Sequence, residues 1–363
     1  MRRILRTMAG AAVLATSAGT ACPAAGTAPP PLTITRIAEI RGEWAYHLAS
    51  TSSRLYLLTV RDSLDGPRSM VEVDPDGAVV RTVPVDASID IEFGTPVTVD
   101  DQVYFAEKAL GADGTTCGLR LLDQATLTFG PLIPVFRNVS LEAMNGCNPR
   151  PRVDPTTPGV VWVLQAEYGK LARLDLATGT VSETSFIDAV PEPDKYHVLS
   201  GLTMLNGVGY VWVGPGRDSP NDATGTPLPN RLIRIDPTNG TTRSVPLESV
   251  VTVVGSVLYT ESEGRTLSID PTTLATTPTD PRPVVFDPLP VPGGGFVTVT
   301  GTFGSFTTAV YRGEPPVLVA SATTEADPTD LGATPLLVGS TLLVVTASSS
   351  DPMHTTIYRV AGW

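Results

Sequence analysis

The feature that most limits how this chain can fold is a phrase it writes more than once. "LIRIDPTNGTT" at 232–242 and "LARLDLATGTV" at 171–181 share an alternating apolar run, an Asp, a turn rich in Pro, Thr and Gly, and a second β-prone run. The pattern returns as "VEVDPDGAVVRTV" from 71, "LRLLDQATLTFG" from 119 and "LSIDPTTLATTP" from 267, and more loosely as "AVYRGEPPVLVA" from 309 and "TIYRV" from 356. The anchors Asp74, Asp123, Asp175, Asp236, Asp270, Arg312 and Arg359 recur about every 47 residues, a period that with β content means propeller blades. An Asp closing a strand accepts bonds from backbone N–H groups ahead of it, Pro fixes the φ of a turn, and Gly or Asn supplies the left-handed residue. These aspartates therefore read as turn staples rather than as catalytic groups or metal ligands.

Upstream of each anchor lies another β run, as in "QVYFAE" at 102, "GVVWVLQ" at 159, "GYVWVG" at 209, "SVLYTES" at 256 and "STLLVVTA" at 340, itself preceded by runs such as "GTPVTV" or "GLTML". Four strands per unit follow. Tyr56, Tyr104, Trp162, Trp212 and Tyr259 recur on the second strand, which fits packing between neighbouring blades. After "TTIYRVAGW" the chain stops with three strands of its last unit made, while "LTITRIAEI" at 32–40 has no place in the first unit. The expected fold is all-β: a seven-bladed β-propeller of four-stranded blades in which the N-terminal strand completes the last blade and hides the open edges.

Hydrophobic residues make up 42% and charged residues 17%, and the 33 Gly and 34 Pro fall between short β runs, as tight turns require. A length of 363 residues would ordinarily divide into two domains, but a repeat architecture holds 32–363 as one. Ahead of it, Arg2, Arg3 and Arg6 precede an uncharged stretch from Thr7 to Ala21, the pattern of an export signal over 1–21. "GTAC" at 19–22 resembles the lipobox of bacterial lipoproteins with Gly19 where that pattern has Leu, so Cys22 is a candidate for lipidation and 22–31, "CPAAGTAPPP", for a tether. An extracytoplasmic location, free or lipid-anchored to the cell envelope, is the expectation. The formal charge of −12 would become three units more negative on loss of the signal, which argues against nucleic acid as a partner. With Cys22 in the signal or under lipid, Cys117 and Cys147 remain as a disulfide pair in an oxidising compartment.

The phrases "YVWVG…LIRIDPTNGTTRSVPL" and "VLYTESEGRTLSIDPTTLATTPT" resemble the YVTN and lactonase-like propellers, in which a short aromatic strand precedes an "xIDxxTGxxxxT" hairpin. The resemblance is one of repeat style over most of 32–363. It implies the fold, and it does not carry a function across, because that broad group joins hydrolases, lyases and proteins without a known reaction.

In a propeller the hairpins between second and third strands share a face with the loops between blades. Here that assigns Arg61–Pro67, Glu107–Cys117, Gln165–Lys170, Gly214–Asn230 and Glu261–Gly264 to one face, with the interblade loops Asp86–Phe93, Arg137–Pro149, Ile187–His197 and Thr323–Asp330. This face is acidic, and Asp188, Asp194, Glu261 and Glu263 are its candidate binding residues, with Arg217 and Asp218 from the insert "GPGRDSPNDATGTPLPN". The favoured reading is a monomeric, non-catalytic binding or scaffolding propeller that meets a protein, peptide or glycan through these loops. The alternative is a lactonase-like hydrolase or lyase with a site at the channel mouth, drawing on His197, Glu167, Glu261, Glu263 and Arg217. No cofactor motif is present. Ca²⁺ is the one metal that loop carboxylates and carbonyls could hold, and no loop of fixed calcium spacing occurs.

Overall fold

A computed structural model describes residues 31–363 apart from 64, 90, 92–95, 112–113, 140–149, 155, 166–168, 193–194, 199–201, 217–219, 223, 250, 255–256, 263–264, 280–287, 303, 314–315 and 351. It is a seven-bladed β-propeller of antiparallel four-stranded blades. Blade one runs through Glu43–Ser50, Leu55–Arg61, Arg68–Val73 and Val79–Pro84. Blade two follows as Val97–Val99, Gln102–Gly111, Gly114–Asp123 and Thr128–Val139. Blade three is Arg150–Val153, Val160–Gln165, Lys170–Asp175 and Val181–Ser185. In blade four, Tyr196–Val198 and Thr203–Leu205 both pair with Val208–Pro215, ahead of Arg231–Asp236 and Thr241–Pro246. Blades five and six are Val251–Val254, Val257–Ser262, Arg265–Ile269 and Thr276–Pro278, then Leu289–Pro290, Phe296–Thr302, Ser305–Arg312 and Val317–Glu325. Helical structure among the described residues is confined to 3-10 turns, at Ile187–Ala189 and at Lys195.

The last blade closes as its missing strand demands. Ala333–Val338, Thr341–Ser348 and His354–Ala361 take Thr33–Arg41 as their fourth strand, with Thr33 opposite Ala361 and Arg41 opposite His354. Gly42, at φ +76°, then turns the chain directly into blade one. The ring is thereby held by hydrogen bonds between its two ends, and the outer edge of His354–Ala361 is covered.

Side chains that alternate along each second strand face opposite neighbours. Tyr56 and Leu58 pack against Val103 and Phe105 of blade two, whereas Leu55 and Leu57 meet Leu343 and Val345 of blade seven. Tyr104, Trp162, Tyr210 and Tyr259 likewise fall in the clusters shared with the following blade. The recurring aromatics are interblade packing, as expected. For blade four the residue at that place is Tyr210, while Trp212, two positions on, donates its indole N–H to Leu247 O at 3.0 Å.

The anchors are staples. Asp74 Oδ1 accepts from Asp76 N and Ala78 N, Asp175 Oδ1 from Ala177 N and Thr178 N, and Asp270 Oδ1 from Thr272 N and Thr273 N. One anchor is misplaced by sequence. Arg359 pairs with Leu343 just as Arg234 pairs with Tyr210, so its place is two residues before the anchor, and Ala361 occupies the anchor position. In an alternating strand a shift of two keeps every side chain on its own face, so the pattern alone cannot separate the two registers. The arginines at this place clasp the next blade: Arg234 donates to Pro271 O at 3.1 Å, where Tyr210 Oη also donates at 2.9 Å, and Arg359 donates to Pro75 O at 2.8 Å.

Candidate functional site

The face made by the second-to-third-strand hairpins and the interblade loops is irregular from blade to blade. Its most prominent feature is blade two. Both strands of its hairpin are ten residues long, and they continue past the buried Glu107, so that residues 107–117 are mostly strand rather than loop. Cys117 lies within Gly114–Asp123, buried and paired across the ladder with Lys108 and Phe136. The expected loop position for Cys117 is thus corrected; Cys147 lies outside the described residues. Beyond Glu107 the hairpin and the long fourth strand form a shallow groove of about 440 Å³ lined by Ala109, Leu110, Thr116, Leu132, Pro134 and Arg137. Leu110, 67% exposed, is the most exposed large apolar residue among those described.

At the root of that hairpin, the Glu107 carboxylate accepts from both Arg120 Nε and Arg120 Nη2, the second at 3.1 Å, while Arg120 Nη1 donates to Gly130 O at 2.7 Å. Burial lowers the Arg120 pKa, against an opposing pull from Asp86. A second buried carboxylate, Glu43, accepts from Thr59 Oγ1 at 2.8 Å and from Arg61 Nη2 at 2.7 Å. Thr59, Glu107, Gln165 and Thr346 mark where the apolar runs of their second strands turn polar near the hairpin end, all of them buried. The sequence carried this signal, because "LYLL", "VYFA", "VVWVL" and "LLVV" each break to a polar residue at the same distance.

Among the described residues of the long insert of blade four, the same turn chemistry as at the anchors recurs. Asp222 Oδ1 accepts from Thr224 N, Thr224 Oγ1 and Thr226 N at 2.7–2.8 Å, bonds that lower its pKa. Lys195 Nζ donates to Asn221 O at 3.0 Å and pairs with Glu192, tying the insert to the loop between blades three and four. Of the predicted residues, Asp188 is exposed in the 3-10 turn, where Ser185 Oγ donates to its Oδ2 at 3.3 Å, and Glu261 is exposed on blade five opposite Thr266. His197 stands on Tyr196–Val198, a strand rather than a loop, opposite Gly214. Glu167, Asp194, Arg217, Asp218, Glu263 and Cys22 lie outside the described residues.

One cluster escaped sequence reading. At the junction of blades six and seven, His354 Nε2 lies 3.1 Å from Asp330 Oδ1 and His354 Nδ1 lies 3.2 Å from Pro352 O. Ser348, directly across the ladder from His354, donates its hydroxyl to Thr329 Oγ1 at 2.8 Å. Ser, His and Asp meet here without a nucleophile's geometry, since the serine hydroxyl serves Thr329 and both imidazole nitrogens are occupied by oxygens. The arrangement holds the interblade loop onto the last blade. Asp330 is 24 residues from His354 in sequence, with no spacing motif to reveal the pair. Among the described residues, no group of three or more His, Cys, Asp or Glu side chains could hold a metal ion, and no helix is long and apolar enough to cross a membrane.

No family model matches the chain, and no curated protein matches it. Solved structures do. The chain is similar to an extracellular domain assigned to a hybrid two component system of B. thetaiotaomicron, at 12% identity and TM-score 0.45, covering 91% of this chain and 42% of that one. It is similar to a periplasmic gluconolactonase of Pseudomonas aeruginosa, at 14% identity and TM-score 0.40 over 65% of this chain and 69% of the other. It is also similar to the WD40 repeats of RRP9, at 8% identity and TM-score 0.49 over 92% and 99%. The chain thus spans less than half of the first of these. The class is set by the chain's own seven antiparallel blades, which make it a β-propeller.

Proposed function

We propose that this protein is a non-catalytic binding propeller working outside the cytoplasmic membrane, and that its contact surface is the loop face centred on blade two. The observation that carries the reading is the lengthened hairpin of Gln102–Gly111 and Gly114–Asp123, which holds Leu110 in solvent beside a groove of mixed polar and apolar lining edged by Arg137. In this reading Leu110 is the apolar contact of the surface, held clear of the buried Glu107 by the lengthened ladder. The acidic loops around it, with Asp188 and Glu261 exposed, would set the sign of partner charge.

A photo-crosslinking residue at Leu110 in cells should give discrete adducts that the same residue at Thr178, on the opposite face, does not. Equal labelling from both positions would refute the assignment of the face.

Export is the second part of the proposal: residues 1–21 as signal, 22–31 as a tether lipidated at Cys22, 32–363 as the working domain, and a Cys117–Cys147 disulfide. The burial of Cys117 on a blade strand supports a structural role for its sulfur. Closing the loop from 117 to 147 would add roughly 3.6 kcal/mol in the chain-entropy model. Alkylation of the exported protein without reductant, read by mass spectrometry, should leave both cysteines unmodified; alkylation of both would remove the disulfide. Cys22→Ser should move the protein from the detergent phase to the aqueous phase, and unchanged partitioning would remove the anchor.

A further inference from the structure

Five turns between third and fourth strands share one design, and one of them differs at a single atom. In four of them the left-handed residue donates its N–H back to the anchor carbonyl: Gly77 to Asp74 O at 3.0 Å, Leu127 to Asp123 O at 2.7 Å, Gly179 to Asp175 O at 2.8 Å and Leu274 to Asp270 O at 2.9 Å. These residues have φ of +89°, +57°, +68° and +61°. In blade four the corresponding residue is Gly240, at φ +69°, and its N–H meets no acceptor among the described residues.

The residue before it is Asn239. Its side chain is folded forward over the Gly240 peptide, because Oδ1 accepts from Thr241 N at 2.9 Å and from Thr241 Oγ1 at 2.7 Å, while Nδ2 faces Asp236 Oδ2 at 3.5 Å. Asn239, Gly240 and Thr241 are all exposed to water.

We propose that Asn239 is a site of spontaneous deamidation, ageing to aspartate and isoaspartate through a succinimide closed by Gly240. The three requirements of that chemistry meet here. An amide N–H free of a carbonyl partner can lose its proton to a solvent base, and the absence of a Cβ at residue 240 leaves the nitrogen unhindered. Two donors on Oδ1 draw electron density from Cγ and would stabilise the oxyanion that forms there, as in any hydrogen-bonded tetrahedral intermediate. Gly240 N then bonds to Asn239 Cγ, the Cγ–Nδ2 bond breaks, and the side-chain nitrogen leaves as ammonia with a proton from solvent. Water next opens the ring. Cleavage at Cγ gives aspartate, and cleavage at the backbone carbonyl gives isoaspartate with one extra methylene in the main chain. Either product places a carboxylate where Nδ2 had faced Asp236, and isoaspartate also breaks the pairing of Asp236 with Thr241.

The molecule contains its own control. Asn206–Gly207 has the same two residue types, but there Asn206 is itself left-handed at φ +51° in a two-residue hairpin between Leu205 and Val208, and its side-chain oxygen accepts from no donor among the described residues. The intact folded protein incubated at mildly alkaline pH and digested at intervals should show the amide-to-acid mass gain, with isoaspartate, severalfold faster in the peptide holding Asn239 than in the one holding Asn206. Gly240→Ala and Thr241→Val should each slow it, the second without removing the backbone donor. Equal conversion at the two sites, or faster conversion at Asn206, would overturn the proposal. Faster conversion of Asn239 in the denatured than in the folded protein would overturn it too, since the turn would then be protective.

Discussion

On the face that carries the turns between third and fourth strands, Asp74, Asp123, Asp175, Asp236 and Asp270 all do the same thing, each accepting backbone or threonine donors two to four residues ahead. On the opposite face the buried polar groups are satisfied differently from blade to blade, with Glu43 taking an arginine and a threonine, Glu107 a bidentate arginine and His354 a carboxylate from the neighbouring loop, while Asp86, Asp222 and Asp327 repeat the staple in its exposed loops. The staples are solvated, so their charges cost little and their repeats can be short and local. The buried carboxylates Glu43, Glu72 and Glu107 each take an arginine from another part of the chain. Repetition writes the staples of this propeller, and individual solutions satisfy its buried charges.

Both sides depend on Thr33–Arg41, so its removal is the severest test. Deleting residues 33–41 should abolish cooperative unfolding, because the lost strand pairs along the whole length of His354–Ala361 and its absence costs about as much as a domain's full margin of 5–15 kcal/mol. A soluble deletion with a wild-type thermal transition would separate ring closure from stability. Next in size, Glu107→Leu should cost about 3–5 kcal/mol by stranding Arg120, with the urea midpoint recovering in part when Arg120→Leu is added. A single variant as stable as the parent would erase the contrast between staples and buried pairs.

The smallest effect belongs to the staples and is read by pH. Backbone bonds hold the carboxyls of Asp123, Asp175 and Asp270 below the usual range, and for Asp236 the Thr238 hydroxyl leads. A lowered carboxyl pKa favours the ionised form in the fold, so this stability is complete above the unfolded value near 4 and is lost as pH falls through the lower folded values. Burial raises Tyr56 and Tyr210, so their contribution is complete below the ordinary tyrosine value near 10 and is lost as pH rises through the higher folded values. Urea midpoints followed across pH should fall at both ends, and Asp175→Ala should shrink the acid limb slightly. An acid limb unchanged by loss of a staple would place the titrating groups on the other face.

The same contrast explains what could be read from the chain alone. Blade number, strand count, closure and the inter-blade role of Tyr56, Tyr104 and Trp162 were legible because local turn chemistry and alternation write them every blade. The place of Arg359 is ambiguous by two residues in sequence because alternation cannot distinguish that shift, and Cys117 reads as a loop residue because nothing local announces that one hairpin is longer than the rest. Asp330 and His354 were invisible, since their meeting is decided by tertiary placement.

The pairing of Thr33 with Ala361 sets which way the molecule looks out. The ends of the ring meet on the stapled side, where Gly362 also approaches Pro31. Leu32 and Thr33 therefore enter the ring on the repetitive face, and Leu110 stands on the face opposite to that entry.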